Sequence, residues 1–154
     1  MEFIGLNGDS RLQVWDRTGK SLWSGDEALG GTNNAIDEGN DTWAWDQPRS
    51  RLPLNSRLIR MDVDGDGVDE VLAVKNIPSL PVVGKYIENL KIYDKAQLKA
   101  FKIKGTTLVP AWTSKEIDRS ISDIQTNGKT LFLAKQKVDI NNFSKGTGGI
   151  AWFD

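Results

Sequence analysis

Histidine and cysteine are both absent from this 154-residue chain. Without cysteine there is no disulfide, zinc–thiolate site, haem attachment or thiol nucleophile. Without histidine the chain lacks the commonest general base and the commonest transition-metal ligand, and no Ser-His-Asp triad can be assembled within it. An enzymatic function is therefore not expected. No apolar run approaches the length of a membrane span. Neither sign of charge is in excess: 20 Lys and Arg stand against 21 Asp and Glu, a net charge of −1, and the two are interspersed. That balance leaves no basic face for nucleic acid and no polyanionic tail. The opening residues Met1-Glu2-Phe3-Ile4-Gly5-Leu6 carry neither a charged n-region nor an apolar h-region, so no signal peptide is read there. The chain is expected to be cytosolic, or a mature or truncated piece of an exported protein. Its length suffices for one ordinary domain with a buried core.

What the chain does have is a concentration of carboxylates in Asp62-Val63-Asp64-Gly65-Asp66-Gly67-Val68-Asp69-Glu70, followed directly by Val71-Leu72-Ala73-Val74. Acids fall at loop positions 1, 3, 5 and 9, with a glycine at position 6. A hard cation such as Ca2+ takes about six to eight oxygens, and one tight loop of this spacing can supply them. Asp62, Asp64, Asp66 and Glu70 are the candidate side-chain ligands, and Val68 offers its carbonyl. An EF-hand begins the same way but closes with a Glu at position 12 and has a helix on each side. Position 12 here is Ala73, and the flanks Leu58-Ile59-Arg60-Met61 and Val71-Leu72-Ala73-Val74 are short, apolar and strand-like. The spacing thus predicts a calcium-type loop between two strands. A merely solvated acidic turn is disfavoured, because so many carboxylates within a few ångströms repel one another without a cation.

The same pattern recurs. Asp62–Val74 aligns without a gap on Asp123–Lys135, 61 residues on; the second copy keeps Asp123, Asn127 and Gly128 but has Gln125 at position 3 and Leu131 at position 9. It is expected to have the shape of a metal loop and to hold no ion. A second element recurs out of phase. Arg11–Asp16, a turn at Thr18-Gly19 and Ser21–Ser24 form one copy; Gln97–Lys102, a turn at Lys104-Gly105 and Leu108–Ser114 form another; Gly149–Asp154 is a truncated third. Each is a period-2 strand, a glycine turn and a second strand ending on a Trp, the signature of a β-hairpin. Trp15, Trp23, Trp112 and Trp152 fall at equivalent points and are expected to be core.

Together these segments read as an all-β chain: one repeat region, residues 1–154, built from four-stranded antiparallel units of the β-propeller-blade type. The units cover approximately 1–26, 57–114 and 119–154, about 2.5–3 blades, fewer than the roughly four a closed ring requires. Long surface loops are expected at 26–55 and 76–88, where Gly, Asn and Pro gather.

The loop motif and the strands after it resemble the FG-GAP/VCBS repeat proteins, whose blades carry D-x-[DN]-x-D-G-x-x-[DE] before an apolar strand. Asp62 through Glu70 match every position, and the likeness extends over nearly the whole chain, which is similar to the C-terminal parts of bacterial exported VCBS-repeat proteins. The resemblance implies a β-propeller with one Ca2+ held by Asp62, Asp64, Asp66, the Val68 carbonyl and Glu70. It also implies a periplasmic, cell-surface or extracellular location in a bacterium, with a structural, adhesive or protein-interaction role. The implied partners are the remaining blades of a longer parent chain, a self-associating copy, or a cell-surface protein or glycan. A second candidate is a carbohydrate-binding or carbohydrate-processing module. Trp43 and Trp45 alternate along a short strand beside Asp37, Glu38 and Asp41, and their rings would stack on sugars; packing against the core is the plainer role for such side chains.

Overall fold

Strand-forming and turn-forming residues alternate along this chain, and the computed structural model follows them. It describes residues 2–29, 31–37, 51–79, 92–138 and 146–153. Among these the structure is all-β, with no helix, and hence none long and apolar enough to cross a membrane. Three antiparallel sheets and one two-stranded hairpin follow one another in sequence. The first joins β1 (Phe3–Leu6), β2 (Arg11–Trp15) and β3 (Ser21–Ala28) in that order. A small hairpin of β4 (Ala35–Asp37) and β5 (Arg51–Pro53) comes next. The central sheet is a four-stranded meander of β6 (Ile59–Met61), β7 (Glu70–Pro78), β8 (Tyr93–Lys104) and β9 (Thr107–Thr113). The last contains β10 (Ser120–Asn127), β11 (Thr130–Val138) and β12 (Gly146–Phe153).

The central sheet is covered on both faces, which explains why β7 reads as an unbroken apolar run. Leu72 and Val74, with Ile59, Ala96, Leu98 and Ala100, meet Ile121, Ile124, Leu131 and Leu133 of the C-terminal sheet. Val71 and Ala73, with Phe101 and Leu108, meet Leu12 and Val14 of the N-terminal sheet, joined by Leu29. Successive strand residues point to opposite faces, so one strand serves two cores.

Polar groups, buried and part-buried, tie the layers. The Asn76 side chain donates to the Gly31 and Ile121 carbonyls and accepts from the Ile121 N–H, each at 2.8–2.9 Å. Asn33 accepts from the Tyr93 N–H and donates to the Tyr93 carbonyl and to Ser120 Oγ. Glu27 of β3 is held by Lys75 of β7 (2.6 Å) and by Lys99 of β8.

Three expectations are corrected. Residues 26–55 are not one open loop: β3 runs to Ala28, and the β4–β5 hairpin lies within the segment. The second long loop starts later than residue 76, since β7 continues to Pro78 and Asn76 is a buried strand residue. Among the four tryptophans expected in the core, Trp112 is 45% exposed and Trp152 is 64% exposed. β9 and β12 are the last strands of their sheets, so their outer residues have no further described layer to pack against. Trp23 is partly buried against the N-terminal core.

Candidate metal centre

β6 and β7 pair in register from Ile59↔Leu72 to Met61↔Glu70, so the chain between Met61 and Glu70 must reverse within eight residues. Asp62 organises that reversal: Oδ1 accepts from the Gly65 N–H (2.7 Å) and Oδ2 from the Gly67 N–H (2.9 Å). Gly65 and Gly67 have φ of +76° and +85°, a conformation costly for residues with a Cβ. Asp64 Oδ1 accepts from the Asp66 N–H (3.3 Å), and Asp66 Oδ1 from the Val68 N–H (2.8 Å). The alternate acids thus fold the loop around their own carboxylates and keep further oxygen lone pairs for a ligand.

Glu70 differs from the other three. As the first residue of β7 it lies on the same face as Leu72 and Val74, and it is 1% exposed. Oε2 accepts from the Val63 N–H at 2.9 Å; Oε1 is buried and accepts no hydrogen bond. A buried carboxylate oxygen left in this way is costly unless a positive charge faces it. Asp62, Asp64 and Glu70 each present an oxygen within 4.8 Å of the others. A hard cation fits this donor set, which is all oxygen and mostly anionic, with one Glu70 oxygen free of hydrogen bonds.

Three of the five sequence-predicted site residues, Asp62, Asp64 and Glu70, bring carboxylate oxygens together. Asp66 stands beside them, its N–H donating to Asp64 Oδ1. Val68 stands on the outer turn with its side chain exposed. Trp43 and Trp45, with Glu38 and Asp41, lie outside the described residues.

The second loop is corrected more deeply. Asp123 and Gln125 lie within β10, and Leu131 lies within β11, paired across a hairpin that turns at residues 128–129. It does not have the shape of a metal loop. Asp123 instead receives Arg57, Nε to Oδ1 at 2.9 Å and Nη2 to Oδ2 at 2.7 Å. Leu131, aligned with Glu70, is a core residue at 7% exposure. The two copies share a buried position, filled once by leucine and once by a carboxylate.

Sequence reasoning missed Lys102. Its ammonium lies 2.9 Å from Asp64 Oδ2, hydrogen-bonds Asp66 Oδ2 and stands 3.6 Å from the orphaned Glu70 Oε1. The hydrogen bonds that Lys102 donates to Asp66 and then to Asp64 raise the Lys102 pKa, and the bond to Lys102 lowers that of Asp66. The register of the folded sheet brings it there: β7 and β8 pair at Val71↔Phe101, so the next pair sets Lys102 opposite Glu70.

Comparison of the chain with protein-family models, with curated proteins and with solved structures finds no match.

Proposed function

We propose that this chain is a non-enzymatic calcium-binding module of the β-propeller type, similar to FG-GAP/VCBS repeats, with a structural, adhesive or interaction role in an exported bacterial protein. The observation that carries the proposal is the buried Glu70 carboxylate, which keeps Oε1 free of hydrogen bonds and shares a cluster of oxygens with Asp62 and Asp64 in a loop closed by two strands. Asp62, Asp64, Asp66 and Glu70 would hold the ion through carboxylate oxygens, and Val68 through its carbonyl. The role is mechanical: a cation there fastens the start of β7, the strand that serves both cores. Sequential sheets stacked face to face through a four-stranded meander are the arrangement of neighbouring blades. The partners fitting that arrangement are further blades of a longer chain or a second copy, for which β12, with Ile150, Trp152 and Phe153 exposed, offers an apolar edge.

Thermal melts in EDTA, in excess Mg2+ and across a calcium titration, with the mass of each sample taken by light scattering, test this. The expected result is a calcium-selective rise in Tm with one ion per chain. Ligand at a hundredfold excess over Kd contributes about 2.7 kcal/mol. An unchanged Tm in all three conditions would remove the calcium role.

A further inference from the structure

We propose that Lys102 is a built-in competitor for the divalent cation: its ammonium and the ion claim the same carboxylate oxygens, so binding requires the ammonium to withdraw. This rests on the calcium reading of the loop given above and adds a regulator to it. The geometry is specific. Lys102 touches three of the four carboxylates in the ligand set, and one of its contacts is the orphaned Glu70 Oε1. It is on the face of β8 that carries Leu98 and Ala100, the same face that Glu70 occupies on β7.

Its backbone cannot move aside. β8 is an interior strand of the central sheet, paired with β7 on one side and with β9 on the other, where Lys102 opposes Val109. Only the side chain can yield. A lysine has a flexible four-carbon stem and a strongly hydrated head, and here about a third of it is exposed, so the ammonium has a path to solvent. Withdrawal means releasing two contacts to partly solvated carboxylates, which are individually weak, and the longer 3.6 Å approach to buried Glu70, whose charge the incoming ion then faces instead. The ammonium's three donors also meet three carboxylates, relieving the repulsion that the acids alone would create. The metal-free loop is thereby held in its folded shape, while the affinity for the ion is reduced toward the weak range of extracellular calcium modules, about 10^-4 to 10^-3 M.

The test is calorimetric titration of Ca2+ into the chelator-treated parent, into Lys102→Met, and into Lys104→Met as a lysine two residues further along the same strand. Melts of each protein in EDTA and in calcium accompany the titrations. Lys102→Met is expected to bind about tenfold or more tightly than the parent, to melt lower in EDTA and to show the larger calcium-induced rise. Lys104→Met is expected to stay close to the parent. Should Lys102→Met not fold in EDTA, Lys102→Gln keeps a polar side chain at the position, and the same comparison applies. One calcium bound by the parent, with equal or weaker binding by the Lys102 variants, would overturn the competitor and leave the calcium role intact. Binding by the variants alone would support the competitor and remove the calcium role from the parent. No binding by any of these proteins would overturn both.

Discussion

At the scale of single residues, Glu70 carries a conflict that its neighbours do not. Asp62, Asp64 and Asp66 accept backbone N–H groups at a partly exposed turn, roles that acids fill in many proteins without an ion. Glu70 is buried, keeps one oxygen free of hydrogen bonds, and shares the single Lys102 ammonium with Asp64 and Asp66. Replacing it by the isosteric glutamine separates its two roles. The amide oxygen can still accept from the Val63 N–H, so the turn is retained, while the charge that attracts a cation is lost. Glu70→Gln is expected to melt at least as high as the parent in EDTA and clearly below it in calcium, with calcium affinity reduced about tenfold or more. A variant that melts with the parent in both conditions would show that Glu70 does not serve a cation. These acids were legible from spacing alone, because a metal loop is a local object whose ligands are near in sequence. Lys102 was not, since it reaches the site through strand pairing and the 14 residues between Pro78 and Tyr93 hide the register.

At the scale of elements, β7 shows how far local pattern reaches. Its apolar start, Val71-Leu72-Ala73-Val74, predicts a strand, and the continuation Lys75-Asn76-Ile77-Pro78 suggests a loop because Asn and Pro are poor strand residues. The strand nonetheless runs to Pro78. Asn76 is tolerated because its side chain finds three backbone partners, two of them on Ile121 of the neighbouring sheet. Partners so distant in sequence leave no local trace. Asn76→Ala would strip the Ile121 N–H and two carbonyls of their partners at a buried position. The expected cost is about 2–4 kcal/mol in urea unfolding, with or without calcium. A loss under about 0.5 kcal/mol would mean that water or a shift of β10 replaces the amide. The mistaken loop at 123–131 follows from the same limit: an aligned Asp, Asn and Gly do not distinguish an eight-residue metal turn from a two-residue hairpin when the strands on either side are equally apolar.

At the scale of the whole molecule, the sheets are joined by apolar contact on both faces of the central one, and few charged groups cross between them. Glu27 is such a group, reaching from the N-terminal sheet to Lys75 and Lys99 on β7 and β8. Partial burial pushes its pKa up, but the hydrogen bonds and charges of the two ammoniums outweigh that and leave it below its ordinary value of 4.5. The sign of the pH dependence follows. A carboxylate whose pKa is lower in the folded state than in the unfolded one stabilises the fold above about pH 4.5, and this contribution is lost as pH falls through the folded value. Because the partners are partly solvated, the contribution is at most about 1 kcal/mol. Glu27→Gln is therefore expected to be slightly less stable than the parent at pH 6–7 in EDTA, and the gap between their urea midpoints should close as pH drops below 4.5. The chelator keeps the acidic loop's response to calcium out of the comparison, and the loop's own titration is common to both proteins and cancels in the difference. A gap that stays constant from pH 7 to pH 3 would show that Glu27 joins the sheets through its methylenes and hydrogen bonds rather than through its charge.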